Sequence, residues 1–542
     1  MVSEKSKKFS ASQIKREKER KKEKVMKAII AASASVLAAA IIILLAIFVI
    51  KPAVEKKKAE KEKEQTTAYV PEKQDGEYGE YMGCRMPAEF ADLLNQGDAD
   101  TEAACRESGT AAEIGGHKLS VPEYALYYYR TEIDQLTKVV KSVSERGQNL
   151  TGFDPSKAPS TQKHPKGEMN WQQKLTDDFT AEIERNYFLF DEAIKAGFVP
   201  DEETLNGISE FFEYLAMSTG GYNSLDDFIS SNYFEGLTFA MFAKKEIISG
   251  FAEAYANSLR RNKAESYSKN FVDGIFNNSP KKYKSVTVNI LPIENKDSVD
   301  EAKKVKNFSE FCAFAKKEVN SDGFDPKVHT ESYEVMYDDI SDYYGYTVAD
   351  WIFSSERKVG DTGVVAGAIY NCLISLNELP KVTHSRDILA FKIDSDESKA
   401  VDDAFIEADG IYKELGGKKM TEEAFRTYLS ENSPEYELTV YVGTFENELD
   451  KWVHSADRKQ GDSICFKGEN SAYIIMFIKD NPEDVYSDKI IRADTAYDEI
   501  EKYIEGNQNE ISLKKSIVKK SVEIAEARYL EYYDTQKDKI GF

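Results

Sequence analysis

The chain has 542 residues, with 95 Asp and Glu against 72 Lys and Arg and a formal charge of −23. Positive charge is gathered at the start: residues 1–27 carry 11 Lys/Arg against 4 Glu, and residues 51–64 carry 6 Lys against 4 Glu, which leaves −32 from Gln65 onward. So acidic a body argues against nucleic-acid binding, which needs clustered Lys and Arg, and the five scattered His and five Cys show no metal-ligand spacing.

Residues 1–27 read as a cytoplasmic basic arm. Ala28 to Ile50 is a run of 23 residues without a charge. At about 1.5 Å per residue it is long enough for a hydrocarbon core of roughly 30 Å. The positive charge before it predicts a single-pass membrane anchor with the N-terminus inside and the bulk of the chain extracytoplasmic. Residues 51–115 read as a stalk or linker. Within it, Cys84 and Cys105 lie in polar surroundings and would close a disulfide loop in an oxidising compartment. Cys312, Cys372 and Cys465 sit in apolar runs and read as small core residues.

Residues 116–282 read as an all-helical domain. Ser120 and Glu123 form a capping box, with Pro122 in the first turn. The helix that follows carries the aromatic stripe Tyr124, Tyr127 and Tyr128. A polar loop leads to Trp171 and a helix stopped by Gly197. Pro200-Asp201-Glu202 then opens a helix bearing Phe211 and Phe212. Tyr124, Tyr127, Tyr128, Phe211 and Phe212 are candidate client-contacting residues, because aromatic surface binds apolar segments without demanding a sequence. The Tyr343–Tyr346 region reads mainly as core.

The second half of the chain repeats itself. Asp350 to Thr362 reads D-W-I-F-S-S-E-R-K-V-G-D-T and Lys451 to Ser463 reads K-W-V-H-S-A-D-R-K-Q-G-D-S. Trp351, Arg357, Lys358, Gly360 and Asp361 recur as Trp452, Arg458, Lys459, Gly461 and Asp462, each shifted by 101 positions. A shift of that length is one small domain, giving modules over 283–381 and 382–482. Each opens on an alternating apolar run, 285–293 and 385–393, which predicts a strand. Helical stretches at 307–319 and 421–429 follow, then the Trp segment, expected as a helix ending at Gly360 or Gly461, then two closing strands. Trp351 and Trp452 read as core anchors, and Gly360-Asp361 and Gly461-Asp462 as turns. The neighbouring Arg and Lys read as a solvated helix end, or as a grip for acidic client segments. Residues 483–542 form an amphipathic helical segment.

Several pieces together resemble the PrsA/SurA-type extracytoplasmic foldases of Gram-positive bacteria. They are G-G-H-K-L-S-V-P-E-Y (115–124), D-P-S-K-A-P-S-T-Q (154–162) before a Trp, and E-A-I-K-A-G-F-V-P-D-E-E (192–203). The two modules are similar to parvulin-type prolyl isomerase domains. The resemblance implies an α+β architecture with a single transmembrane helix. It also implies an all-helical SurA-N-like chaperone domain completed by the C-terminal helix, and two tandem parvulin-like modules inserted into it. It implies a membrane-anchored chaperone for unfolded secreted polypeptides that needs no cofactor. The family's first-strand His falls on Asn289 and Asp387, and its last-strand His falls on Tyr473 in module two. Asp387 and Tyr473 are therefore the candidate catalytic residues, with isomerase activity expected to be weak or lost. An active isomerase and a non-catalytic scaffold of an envelope complex are the alternatives.

Overall fold

The structure is a computed structural model that describes residues 78–540, apart from 147–148, 166, 220–221, 322, 396–399 and 433–436. The described chain divides into two units. The first holds 78–262 and 498–540, and the second holds 263–497.

The first unit starts with a hairpin, β1 (Tyr78–Tyr81) and β2 (Cys84–Pro87), and helix α1 (Ala88–Ser108). Phe90, Leu94, Gly97 and Thr101 recur every three or four residues along α1 and form its buried stripe. Strands β3 (Thr110–Ile114) and β4 (His117–Ser120) follow. Next come α2 (Val121–Arg146), α3 (Trp171–Lys195), α4 (Glu202–Met217), α5 (Leu225–Asn232) and α6 (Phe239–Ser266). The Glu123 carboxylate accepts from the Ser120 N–H at 3.0 Å, so the capping box opens α2. Glu123 also meets the buried Lys244 ammonium at 2.9 Å.

The second unit begins with α7 (Lys269–Asn278) and then carries the two modules. Module one comprises β5 (Ser285–Ile293), α8 (Val299–Ala302), α9 (Phe308–Val319), α10 (Pro326–His329), β6 (Glu331–Met336), α11 (Tyr337–Tyr344), α12 (Tyr346–Ile352), β7 (Thr362–Ala366) and β8 (Asn371–Leu376). Module two comprises β9 (His384–Asp394), α13 (Val401–Glu414), α14 (Glu422–Asn432), β10 (Glu437–Val440), α15 (Asn447–Val453), β11 (Ser463–Lys467) and β12 (Ser471–Val485). Each sheet is antiparallel, and its first strand is central. The orders are β6-β5-β8-β7 and β10-β9-β12-β11. Helices pack on both faces of each sheet, so its central first strand buries apolar residues of both parities. Leu291 and Ile293 meet α9 while Val288 and Ile290 meet α11 and α12.

The chain then runs through α16 (Tyr486–Asn507), β13 (Ser512–Leu513) and α17 (Lys515–Ile540). Strand β13 pairs with β3, giving the first unit a three-stranded sheet in the order β13-β3-β4. Val522, Ala525 and Tyr529 of α17 enter the same core as Tyr128 and Phe179.

Three expectations are corrected. The stalk does not extend to 115, because the α1 stripe and the β1–β2 hairpin are packed into the core from Tyr78 on. Residues 116–282 are helical after β4 at their start, but the unit that holds 116–262 is not all-helical, since the segments before and after add four more strands, β1, β2, β3 and β13. No helix among the described residues is long and apolar enough to cross a membrane, so the described α+β fold does not contain the expected transmembrane helix. The stretch 28–50 lies outside the described residues.

Candidate functional site

The two modules place a polar side chain on the first strand, turned toward the face that α9 and α14 cover. In module one this is Asn289. It is fully buried and lies opposite Ser375 and Glu331. Its Nδ2 donates to Thr330 Oγ1 at 2.9 Å, and its Oδ1 accepts from the Asn377 amide. Helix α10 ends at His329, immediately before Thr330, so the site is closed. In module two the position is Asp387, half-buried. Its Oδ1 accepts from Thr439 Oγ1 at 2.6 Å and from Asn481 Nδ2 at 2.7 Å, while Oδ2 lies 3.2 Å from the Lys479 ammonium. Lys479 and Asn481 line a shallow surface groove running to Asp484. Each module thus repeats one Thr and one Asn around its first-strand polar residue, sealed in the first copy and open in the second.

Tyr473 is not part of this cluster. It pairs with Lys392, five residues along β9 from Asp387, and packs edge-on to Phe445 at 5.9 Å between ring centres. Side chains alternate across a strand, and the register puts Tyr473 on the α15 face and Asp387 on the α14 face. The two candidates Asp387 and Tyr473 thus lie on opposite faces of the sheet, and the side chains around Asp387 are Thr439, Asn481 and Lys479. Motif matching supplied the positions, and only the strand register supplied the faces.

The repeated Trp segments are the same corner built twice. Helices α12 and α15 end at Ile352 and Val453, well before the glycines, because a Ser turn takes over. The Arg357 N–H bonds Ser354 O at 3.2 Å, and the Arg458 N–H bonds Ser455 O at 3.2 Å. Gly360 and Gly461 adopt φ of 89° and 87°, a conformation costly for any side chain. Asp361 Oδ2 accepts from the Lys358 N–H at 3.0 Å, as Asp462 Oδ2 does from Lys459. The guanidinium of Arg357 stands 4.7 Å over the Trp351 ring, and that of Arg458 stands 4.8 Å over Trp452. These Arg side chains also meet Asp361 and Asp462 of their own corners. Arg357 and Arg458 are half-buried and already engaged within their own corners, while Lys358 and Lys459 are exposed.

The five aromatic candidates of the helical unit are core residues. Tyr124, Tyr127, Tyr128, Phe211 and Phe212 are all buried in one cluster, and Tyr124 and Tyr128 both pack edge-on to Phe179. Burial pushes the Tyr124 hydroxyl up, out of its ordinary range. The Cys84–Cys105 disulfide is corrected as well: both thiols are free. Tyr81, which faces Cys84 across the hairpin, donates its OH to the Asp98 carboxylate at 2.7 Å. Cys105 lies a further seven residues along α1. That is about 10 Å of rise, beyond the roughly 7 Å that a disulfide spans between Cα atoms.

Exposed aromatic surface occurs where the sequence suggested core. At one end of module one, Tyr343, Tyr346, Ile369 and Tyr370 are 66%, 70%, 60% and 44% exposed. The end of α11 and the β7–β8 turn are tied together, Ala368 N–H donating to Tyr344 O at 2.8 Å. A side chain at Gly367 would strike Tyr344 O at 2.8 Å, so glycine is what lets the two segments meet backbone to backbone. The matching turn of module two is charged instead, with Lys467 paired to Asp402 and Glu446 accepting from the Glu469 N–H at 2.7 Å. A cluster of Tyr around a glycine in a sequence signals aromatic packing but not which side of the chain is covered.

Module two also contacts module one. Lys451 pairs with Glu331 and stands 5.3 Å over the Tyr333 ring. Beside it Asp450 is buried and accepts from the Gly443 and Phe445 N–H groups at 2.9 and 3.1 Å, while burial pushes its carboxyl up to about 6. His454 is driven the other way, down to about 4, by burial and then by the Arg386 charge. Among the described residues no cluster of His, Cys, Asp and Glu could hold a metal ion. Compared with known protein families and with curated proteins, the sequence matches no family model and no curated relative.

Proposed function

We propose that the chain is an extracytoplasmic foldase that holds unfolded, secreted polypeptides on the aromatic end of module one. What supports the reading is the patch of Tyr343, Tyr346, Ile369 and Tyr370, an apolar surface on an otherwise acidic chain. Tyrosine contributes contact area at little conformational cost and keeps a hydroxyl in water, which suits transient capture of varied segments. The test is suppression of aggregation of a chemically unfolded client at stoichiometric amounts of the protein. Failure to slow aggregation removes the reading. A pull-down that yields one stoichiometric folded partner favours a scaffold in its place.

Weak prolyl isomerase activity is the second reading, and it is confined to module two. Isomerisation has a barrier of about 18–20 kcal/mol and needs no covalent step, only an apolar seat and polar groups that favour the twisted amide. The open cluster of Asp387, Thr439 and Asn481 supports it, whereas Asn289 is sealed. Relaxation of an X-Pro peptide should be faster with protein present and slowed by Asp387→Ala. No acceleration at micromolar protein rules it out.

A further inference from the structure

Helix α17 lies along α2 in the first unit, and the contact contains an unusual pair of carboxyls. Glu132, in the middle of α2, is fully buried, and neither of its oxygens has a hydrogen-bond partner. Glu526 of α17 is also buried, but it is well held: it accepts from the Ser160 N–H at 2.8 Å, from Ser160 Oγ at 2.6 Å and from Tyr128 OH at 3.3 Å. The negative field of Glu526 acts on Glu132.

We propose that α17 is a releasable clasp on α2, held while the buried, unpartnered Glu132 stays uncharged beside Glu526 and loosened as Glu132 ionises. Its release uncovers an aromatic face that the closed form hides, and this goes beyond client capture by module one. The face includes Tyr128 on α2, joined to Glu526, and Tyr129, which packs edge-on to Tyr532 at 6.5 Å. It also includes Phe153, whose ring centre is 6.2 Å from that of Tyr529. These are the residue types the sequence suggested for a client cradle, and α17 covers them.

The groups around Glu132 set the direction of the response. On its own helix are Tyr128 and Tyr129, and on α17 are Glu526 and Tyr529. Asp154, from the loop before α3, faces Tyr529 and is ion-paired to Lys157 at 2.6 Å. Arg528 bonds the Ser231 and Asn232 carbonyls at 3.0 and 2.6 Å instead of turning to Glu132. Helix α3 brings Phe179, which is apolar. No cation in this set relieves a second charge. Burial first, and then Glu526, hold the Glu132 carboxyl well above the usual carboxylate range. Released into water, Glu132 regains an ordinary value near 4.3. The closed form therefore binds one more proton than the open form, and raising the pH favours opening by up to tenfold per pH unit until Glu132 ionises in place. The buried tyrosines titrate above the range tested, since burial moves them up as well.

Hydrogen exchange of the full chain between pH 5 and 9, corrected for the intrinsic pH dependence of exchange, tests the clasp. The expected result is progressive loss of protection in α17 and residues 153–162, by tenfold or more across the range, while α6 stays protected. Glu132→Gln keeps the side-chain volume and removes the titrating proton, so its α17 protection is flat with pH. Glu526→Gln removes the second charge and reduces the slope. The proposal is overturned if α17 protection in the unaltered chain does not change with pH. It is also overturned if Glu132→Gln retains the same slope, or if α6 and α17 lose protection together. None of these readouts depends on client binding, so the clasp and the foldase reading fail separately.

Discussion

Replacing Tyr343 and Tyr346 with Ser tests client capture on module one most directly. The two side chains are 66% and 70% exposed, so their removal leaves no cavity in the core. A tyrosine presents about 200 Å², which puts roughly 270 Å² of the pair in contact with water. A bound segment covering half of that surface removes about 140 Å² from water, worth about 3.5 kcal/mol at 25 cal/mol per Å². Association converts area into affinity incompletely, so the expected loss lies between about 1.4 and 3 kcal/mol, or about tenfold to 150-fold in Kd. Fluorescence anisotropy of a labelled, permanently unfolded client measures it. The matching exchange in module two, Lys467→Ser, should leave Kd unchanged, because that turn is charged. A loss of less than threefold for the double variant, with circular dichroism and melting unchanged, would refute the capture surface.

Three further outcomes follow from individual residues. Tyr124→Phe removes a buried hydroxyl that has no partner, so it should leave stability equal or slightly higher and client affinity unchanged, as equilibrium denaturation and the anisotropy assay would show. Gly360→Ala and Gly461→Ala meet open space but require φ near +90°, so each should cost about 1 kcal/mol in denaturant unfolding, by similar amounts in the two modules. His454 sits at about 4 in the fold against an unfolded value near 6.5, so the native form binds fewer protons. Its contribution is whole above pH 6.5 and is lost as pH falls toward 4, by about 3 kcal/mol. His454→Gln should flatten that part of the stability–pH profile, followed by urea titration from pH 7 to pH 4.

The strands at 285–293 and 385–393 were legible because alternation and β-branched residues mark a strand whatever it packs against, and they form at 285–293 and 384–394. The helix expected to run to Gly360 was not legible in full. The Ser turns at 354 and 455 end it through backbone bonds that a 3.6-residue pattern does not register. Position 387 was found by motif, but its partners Thr439 and Asn481 lie 52 and 94 residues away, and only pairing of β9 with β10 and β12 makes them neighbours.

The aromatic residues show the division most clearly. The sequence by itself determined that the chain repeats a module at an interval of 101 residues, that a Trp, an Arg, a Gly and an Asp mark the same corner in each, and that Tyr and Phe are abundant. Those facts rest on local chemistry: a left-handed turn calls for glycine, and an alternating run makes a strand. Which aromatic residues face water was decided by tertiary structure alone. Tyr124 and Tyr128 are buried because α3 and α17 return to cover α2, while Tyr343 and Tyr346 stay open because no described element lies over the turn at Gly367. Burial depends on what packs against a residue from far along the chain, and a tyrosine carries the same side chain on either side of that outcome.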